Sequence, residues 1–150
     1  MFIRHLLVPV DFSERSPAAF GYALGFARAV GAQLTVLHVV PGPARVRLRA
    51  AAALGQPLPH ASEAELLDAR ERLEALVGGF DHTGVVVRPR VEIGDPAATI
   101  VTLTVEERFD LIVLTIHDRG PLAQQLFGSV SAKVVPLVPC PVLLVNGANR

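Results

Sequence analysis

Asp110–Val145, DLIVLTIHDRGPLAQQLFGSVSAKVVPLVPCPVLLV, decides the fold. An apolar strand, Leu111 to Leu114, runs into a polar loop. A Gly128-Ser129 dipeptide then enters a helix, and a second apolar strand covers Pro141 to Val145. Two apolar strands joined through a helix imply a parallel crossover, whose helix start lies beyond the carboxyl end of the first strand. Main-chain N–H groups and a hydroxyl at Gly128-Ser129 suit an anion there, although the same pair also makes an ordinary helix N-cap. Pro136 predicts that this helix kinks or stops early.

Working outward, the amino-terminal stretch repeats the arrangement. Leu6-Leu7-Val8 and Val10 form an apolar run too continuous for a half-exposed strand, so strand one belongs at the sheet centre. Asp11 closes it, and Ser16-Pro17 reads as an N-cap followed by proline at the first helical position. Phe20, Ala23, Leu24 and Ala27 recur at helical spacing, with Gly21 and Gly25 placed for close approach to the sheet. Gly31-Ala32 ends that helix, and Leu34 to Val40, LTVLHVV, is a second buried strand. His38 within it reads as a buried, neutral, hydrogen-bonded imidazole, since no second ligand stands nearby at metal spacing.

Residues 41–61 carry four prolines and three spaced arginines, Arg45, Arg47 and Arg49, and predict a connector with a short helix over 47–54. Ser62-Glu63-Ala64-Glu65 has the pattern of a capping box, and Leu66, Ala69, Leu73 and Leu76 form one apolar stripe of a surface helix. Gly78-Gly79 ends it. Thr83 to Val91 is a third strand, confined to an edge because Pro89 removes a ladder donor. Asp95-Pro96 starts a helix to Glu107. The result is an α/β fold with an open five-stranded parallel sheet and helices on both faces, formed as one domain over 1–150.

Composition bounds the function. Fourteen basic residues balance fourteen acidic ones, which gives no electrostatic footprint for nucleic acid or an anionic membrane. The single cysteine, Cys140, excludes an internal disulfide and favours a reducing compartment, the cytoplasm. Flanked by Pro139 and Pro141, it reads as a packing residue. No apolar run is long enough to span a bilayer, and Pro9 and Asp11 interrupt the first one. Walker, dinucleotide and nucleophile-elbow motifs are all absent, so no catalytic residue and no metal ligand is assigned.

Four pieces taken in order carry a resemblance over nearly the whole chain: LLVPVDFSERS, GAQLTVLHVV, GDPAATIV, and HDRGPLAQQLFGSVSAKV joined to PCPVLLV. Together they resemble the universal stress protein family. The resemblance implies strand order 3-2-1-4-5 in an adenine nucleotide alpha hydrolase-like fold, a stress-response role, and a homodimer paired through the last strand at Val142, Leu143, Leu144 and Val145. Some members bind ATP through G-x-x-G, nine residues, then G-S or G-T. On this chain Thr115 and Asp118 stand where the first two glycines would be, while Gly128-Ser129 keeps the end.

The resemblance further places Asp11 near adenine and ribose, Val10 and Val39 against the base, and Arg119 at a basic loop position. A side chain at Thr115 fills phosphate space, and Asp118 adds a charge that repels phosphate unless magnesium bridges the two. The expectation is a dimeric regulatory or protein-interaction module with weak or absent ATP binding. The alternative is a sensor of ATP or AMP, with magnesium and slow ATP hydrolysis.

Overall fold

The computed structural model describes residues 2–42, 52–55, 61–116 and 128–147. Five strands, β1 (His5–Pro9), β2 (Gln33–Pro41), β3 (Val87–Gly94), β4 (Leu111–Ile116) and β5 (Val142–Asn146), form one parallel sheet in the order β3-β2-β1-β4-β5. Among the described residues the connections carry the helices α1 (Ser16–Val30), α2 (Glu63–Gly78), α3 (Pro96–Glu106) and α4 (Ser129–Val134). This is the expected fold and strand order.

The sheet divides the core in two because successive strand residues face opposite sides. Leu6, Val8, Leu34, Val36 and Val113 pack with Phe20, Ala23 and Leu73 of α1 and α2. Leu7, Leu37, Ile112 and Leu114 pack with Ile100 and Leu103 of α3 and with Val134 of α4. Leu6, Leu7 and Val8 are fully buried, as a central strand covered on both faces requires.

Local chemistry sets the boundaries. Ser62 accepts from the Glu65 amide at 3.2 Å while the Glu65 carboxylate accepts from the Ser62 amide at 2.7 Å, so the capping box is complete. Asp95 caps α3 by accepting from the Ala98 amide at 2.9 Å, and Gly31 ends α1 in the left-handed region at φ 70°. α4 ends at Val134, two residues before Pro136, as the proline predicts. The short helix expected over 47–54 lies mostly outside the described residues, which include only 52–54 of that stretch.

Three local expectations need correction. Ser16 does not cap α1: the N-cap position is Arg15, whose side chain makes no capping bond, and the Ser16 hydroxyl donates to Asp11 Oδ1 at 3.2 Å. The glycines of α1 do not approach the sheet. A Cβ on Gly21 would lie 2.9 Å from the Phe80 ring, whereas Gly25 faces open space. β3 begins at Val87 rather than Thr83, because Asp81 Oδ1 accepts from the Thr83 amide at 3.0 Å and Gly84 turns the chain at φ 81°.

Edge chemistry follows from register. The Leu34 amide donates to Val86 O, so even-numbered residues of β3 bond β2, and the position of the missing Pro89 N–H faces outward. A proline is tolerated there because no ladder bond is lost.

Candidate functional site

β1 stops at Pro9, paired with Leu37, while β2 continues to Pro41 against β3 alone. β4 likewise continues past its pairing with β1, which ends at Ile112. The staggered carboxyl ends leave a cavity of about 390 Å³ over the point where strand order reverses, lined by Val10, Asp11, His38, Val39, Thr115, Gly128 and Ser129 among others. An open α/β sheet binds its ligands at this position. Six of the seven residues named from the sequence therefore share one cavity, and the seventh, Arg119, lies outside the described residues, as does Asp118.

Asp11 sits on the turn between β1 and α1. Its Oδ1 accepts from the Ser13 amide at 2.9 Å and from the Ser16 hydroxyl at 3.2 Å. Burial opposes the charge, but hydrogen bonds from Ser13 and Ser16 outweigh it and hold the carboxyl below its ordinary range.

Val39 contributes main chain as well as side chain. The Val10 amide donates to Leu37 O at 2.8 Å and the Leu34 amide to Val86 O at 2.9 Å, so odd residues of β2 direct their N–H and C=O toward the β1 side. At Val39 β1 has already ended, and a donor and an acceptor are presented side by side at the cavity wall.

The far wall is tied by Ser131, whose buried hydroxyl donates to Thr115 O at 3.2 Å and fixes the start of α4 to the end of β4. Gly128 caps α4 at φ −56°, a conformation open to any residue, and α4 is only six residues long, so its dipole is small. Thr115 remains on the lining where a glycine cradle would need bare backbone.

Sequence reading missed Ser16, Ser131 and the part played by His38. The last is half-buried rather than buried, and its Nδ1 donates to Val10 O at 2.9 Å at the cavity rim. Ser16 carried a signal, a hydroxyl five residues after Asp11, but the proline beside it pointed to a cap. Cys140 is half-buried away from this cavity, and burial pushes its thiol up, which suits packing. Among the described residues no group of three acidic, histidine or cysteine side chains is placed to hold a metal ion, and no helix is long and apolar enough to cross a membrane.

A parallel sheet with a cavity at its switch point defines the class of open, doubly wound α/β folds. The model of the universal stress protein family matches residues 2–146, and the chain belongs to that family. It is 33% identical over 146 residues to the universal stress protein in the QAH/OAS sulfhydrylase 3′ region of Thermus aquaticus, covering 94% of this chain and 97% of that one. Among solved structures it is similar to universal stress protein UspA from Lactobacillus plantarum, with TM-score 0.70, 26% identity, and coverage of 97% and 99% of the two chains. It shares its fold with the universal stress protein from Archaeoglobus fulgidus in complex with dAMP, with TM-score 0.69, 22% identity, and coverage of 96% and 98%.

Proposed function

We propose that this protein is a stress-response regulatory module whose cavity takes an adenine nucleotide with a short phosphate chain, of the AMP class, and binds ATP weakly. The carrying observation is the pairing of Asp11 with the freed main chain of Val39 across one cavity. The N–H and C=O of Val39 suit the donor–acceptor edge of adenine, and the carboxylate suits a ribose hydroxyl. The dAMP bound by the Archaeoglobus relative supports the ligand class. Thr115 argues against a triphosphate cradle, because its side chain occupies space that bare glycine backbone would leave to a phosphate. Calorimetric titration with AMP and with ATP, with and without magnesium, tests the reading. AMP is expected to bind more tightly than ATP, and submicromolar ATP affinity overturns it.

The module acts as a homodimer through β5. The Ile112 amide donates to Pro141 O, so Val142 and Leu144 turn their N–H and C=O outward from the sheet. No proline interrupts β5, in contrast to Pro89 on the opposite edge. Such an edge invites a second strand. Sedimentation at micromolar concentration is expected to give a dimer, and a monomer alone overturns the assignment.

A further inference from the structure

We propose that Phe12 is a positioning residue: its ring, held by His38 and Arg72, locks residues 10–13 so that Asp11 is presented to the cavity. This rests on the reading of that cavity as a nucleotide site.

Phe12 adopts φ 60°, in the left-handed region that favours glycine. A glycine would make the same turn without strain, so the contacts of the ring must hold the conformation in place. The ring lies 4.1 Å from the His38 ring with planes 30° apart, and the Arg72 guanidinium sits 4.4 Å from its centroid. His38 is itself fixed, since its Nδ1 donates to Val10 O at 2.9 Å. Arg72 is steadied by Asp68 one helical turn away, at 3.7 Å. α2 supplies no described residue to the cavity lining, yet it reaches the rim through this ring.

The turn that Phe12 closes is the one that aims Asp11. The residues before and after it are joined by the Ser13 amide donating to Asp11 Oδ1 at 2.9 Å, and the Val10 amide is anchored on Leu37 O at 2.8 Å. With the ring removed, the left-handed residue is free to relax and the Ser13 bond frays. Asp11 must then be ordered by the ligand itself, and that ordering is subtracted from affinity.

The test uses Phe12→Gly, which keeps the backbone conformation accessible and deletes the ring, alongside Arg72→Met. Arg72 is exposed, so its replacement does not threaten the fold. AMP is the titrant, and the Asp11 carboxyl is followed by NMR titration without ligand. Phe12→Gly is expected to weaken AMP about tenfold and to move Asp11 upward toward an ordinary carboxylate. Arg72→Met is expected to shift both the same way, with about a threefold loss of AMP affinity. If both variants keep wild-type Asp11 titration and AMP affinity, the positioning role falls while the nucleotide reading stands. If the wild type fails to bind AMP but Asp11 still moves in both variants, the nucleotide reading falls and the role of Phe12 in placing Asp11 stands.

Discussion

Asp110 and His5 fasten β4 to β1 at the end of the sheet away from the cavity. Asp110 Oδ2 accepts from the His5 amide at 3.0 Å and from the Arg4 amide at 2.8 Å, and the Asp110 amide donates back to His5 O at 2.9 Å. The β1–β4 pairing is short, covering only Leu6 with Leu111 and Leu7 with Ile112. The carboxylate extends it by one step. Asp110→Ala is expected to destabilise the fold by about 2 kcal/mol, since it removes two charge-assisted bonds and leaves two amides to water. Asp110→Asn, which keeps one acceptor oxygen, is expected to lose less. Urea unfolding of the three proteins checks the order, and an unchanged midpoint in the alanine variant contradicts it.

The His5 side chain gives this end of the sheet a pH dependence. Its Nε2 lies 2.8 Å from the hydroxyl of buried Thr35, and its ring lies 4.2 Å from Phe109. Burial first, and Arg88 second, hold its pKa below the ordinary 6.5, with Glu107 and Asp110 opposing. The unfolded chain therefore takes up the proton first as pH falls, and stability drops between the ordinary value and the lower folded one. His5→Gln is expected to flatten that part of the stability curve. Thermal unfolding of both proteins from neutral pH down to about pH 5 measures the difference, and parallel curves count against it.

The left-handed residue at the end of α3 offers a stabilising change. Arg108 adopts φ 53° immediately after the helix C-cap, with the Phe109 amide reaching back to Thr104 O at 3.3 Å. Glycine is the usual occupant of this position because it lacks the Cβ penalty. Arg108→Gly is expected to raise stability by about 0.5–1 kcal/mol. A lower melting temperature in the variant would show that the side chain of Arg108 contributes more than its backbone strain removes.

What the sequence revealed and what it hid divide along a physical line. The two-faced core and the caps at Ser62, Gly31 and Asp95 were legible because each depends on neighbours within a few residues or on apolar periodicity, whereas the strand order came through the resemblance. That Asp11, Val39 and Gly128 would converge was expected from the resemblance, and they line one cavity; nothing local distinguishes a turn aspartate from one that faces a ligand. Ser16 and Ser131 were not legible, because each hydroxyl finds its partner across a turn or a crossover, Asp11 in one case and Thr115 O in the other. Phe12 was hidden for a further reason. Its left-handed backbone is rare for an aromatic residue, and the contacts that hold it come from β2 and α2.

The proposed dimer edge can be tested without removing a ladder bond from the protomer. The Leu144 N–H points outward, while Leu143 and Val145 supply the β5 donors facing β4. Leu144→Pro therefore deletes a donor that only a second strand would use, although it also removes a half-buried side chain from the α3–α4 side of the core. Leu144→Ala makes a comparable cavity and keeps the N–H. The proline variant is expected to sediment as a monomer and the alanine variant as a dimer, both with the wild-type far-UV circular dichroism. Dimers in both variants would place the contact elsewhere on the surface.

The weak ATP binding proposed for the cavity is open to reversal by substitution. Thr115 lines the cavity at the end of β4, and its carbonyl, not its side chain, accepts from Ser131. Thr115→Gly combined with Asp118→Gly rebuilds the family's G-x-x-G spacing ahead of Gly128-Ser129 while leaving that main-chain bond available. Restoring glycine at these two motif positions, with the loss of one negative charge, is expected to raise ATP affinity at least about tenfold, the equivalent of one electrostatic contact of about 1.4 kcal/mol. AMP affinity should change far less, because Asp11 and Val39 are untouched. Parallel titrations of both nucleotides separate the effects. An equal gain for AMP and ATP would mean that the substitutions merely enlarge the cavity, and the argument that Thr115 and Asp118 discriminate against the longer phosphate chain would fail.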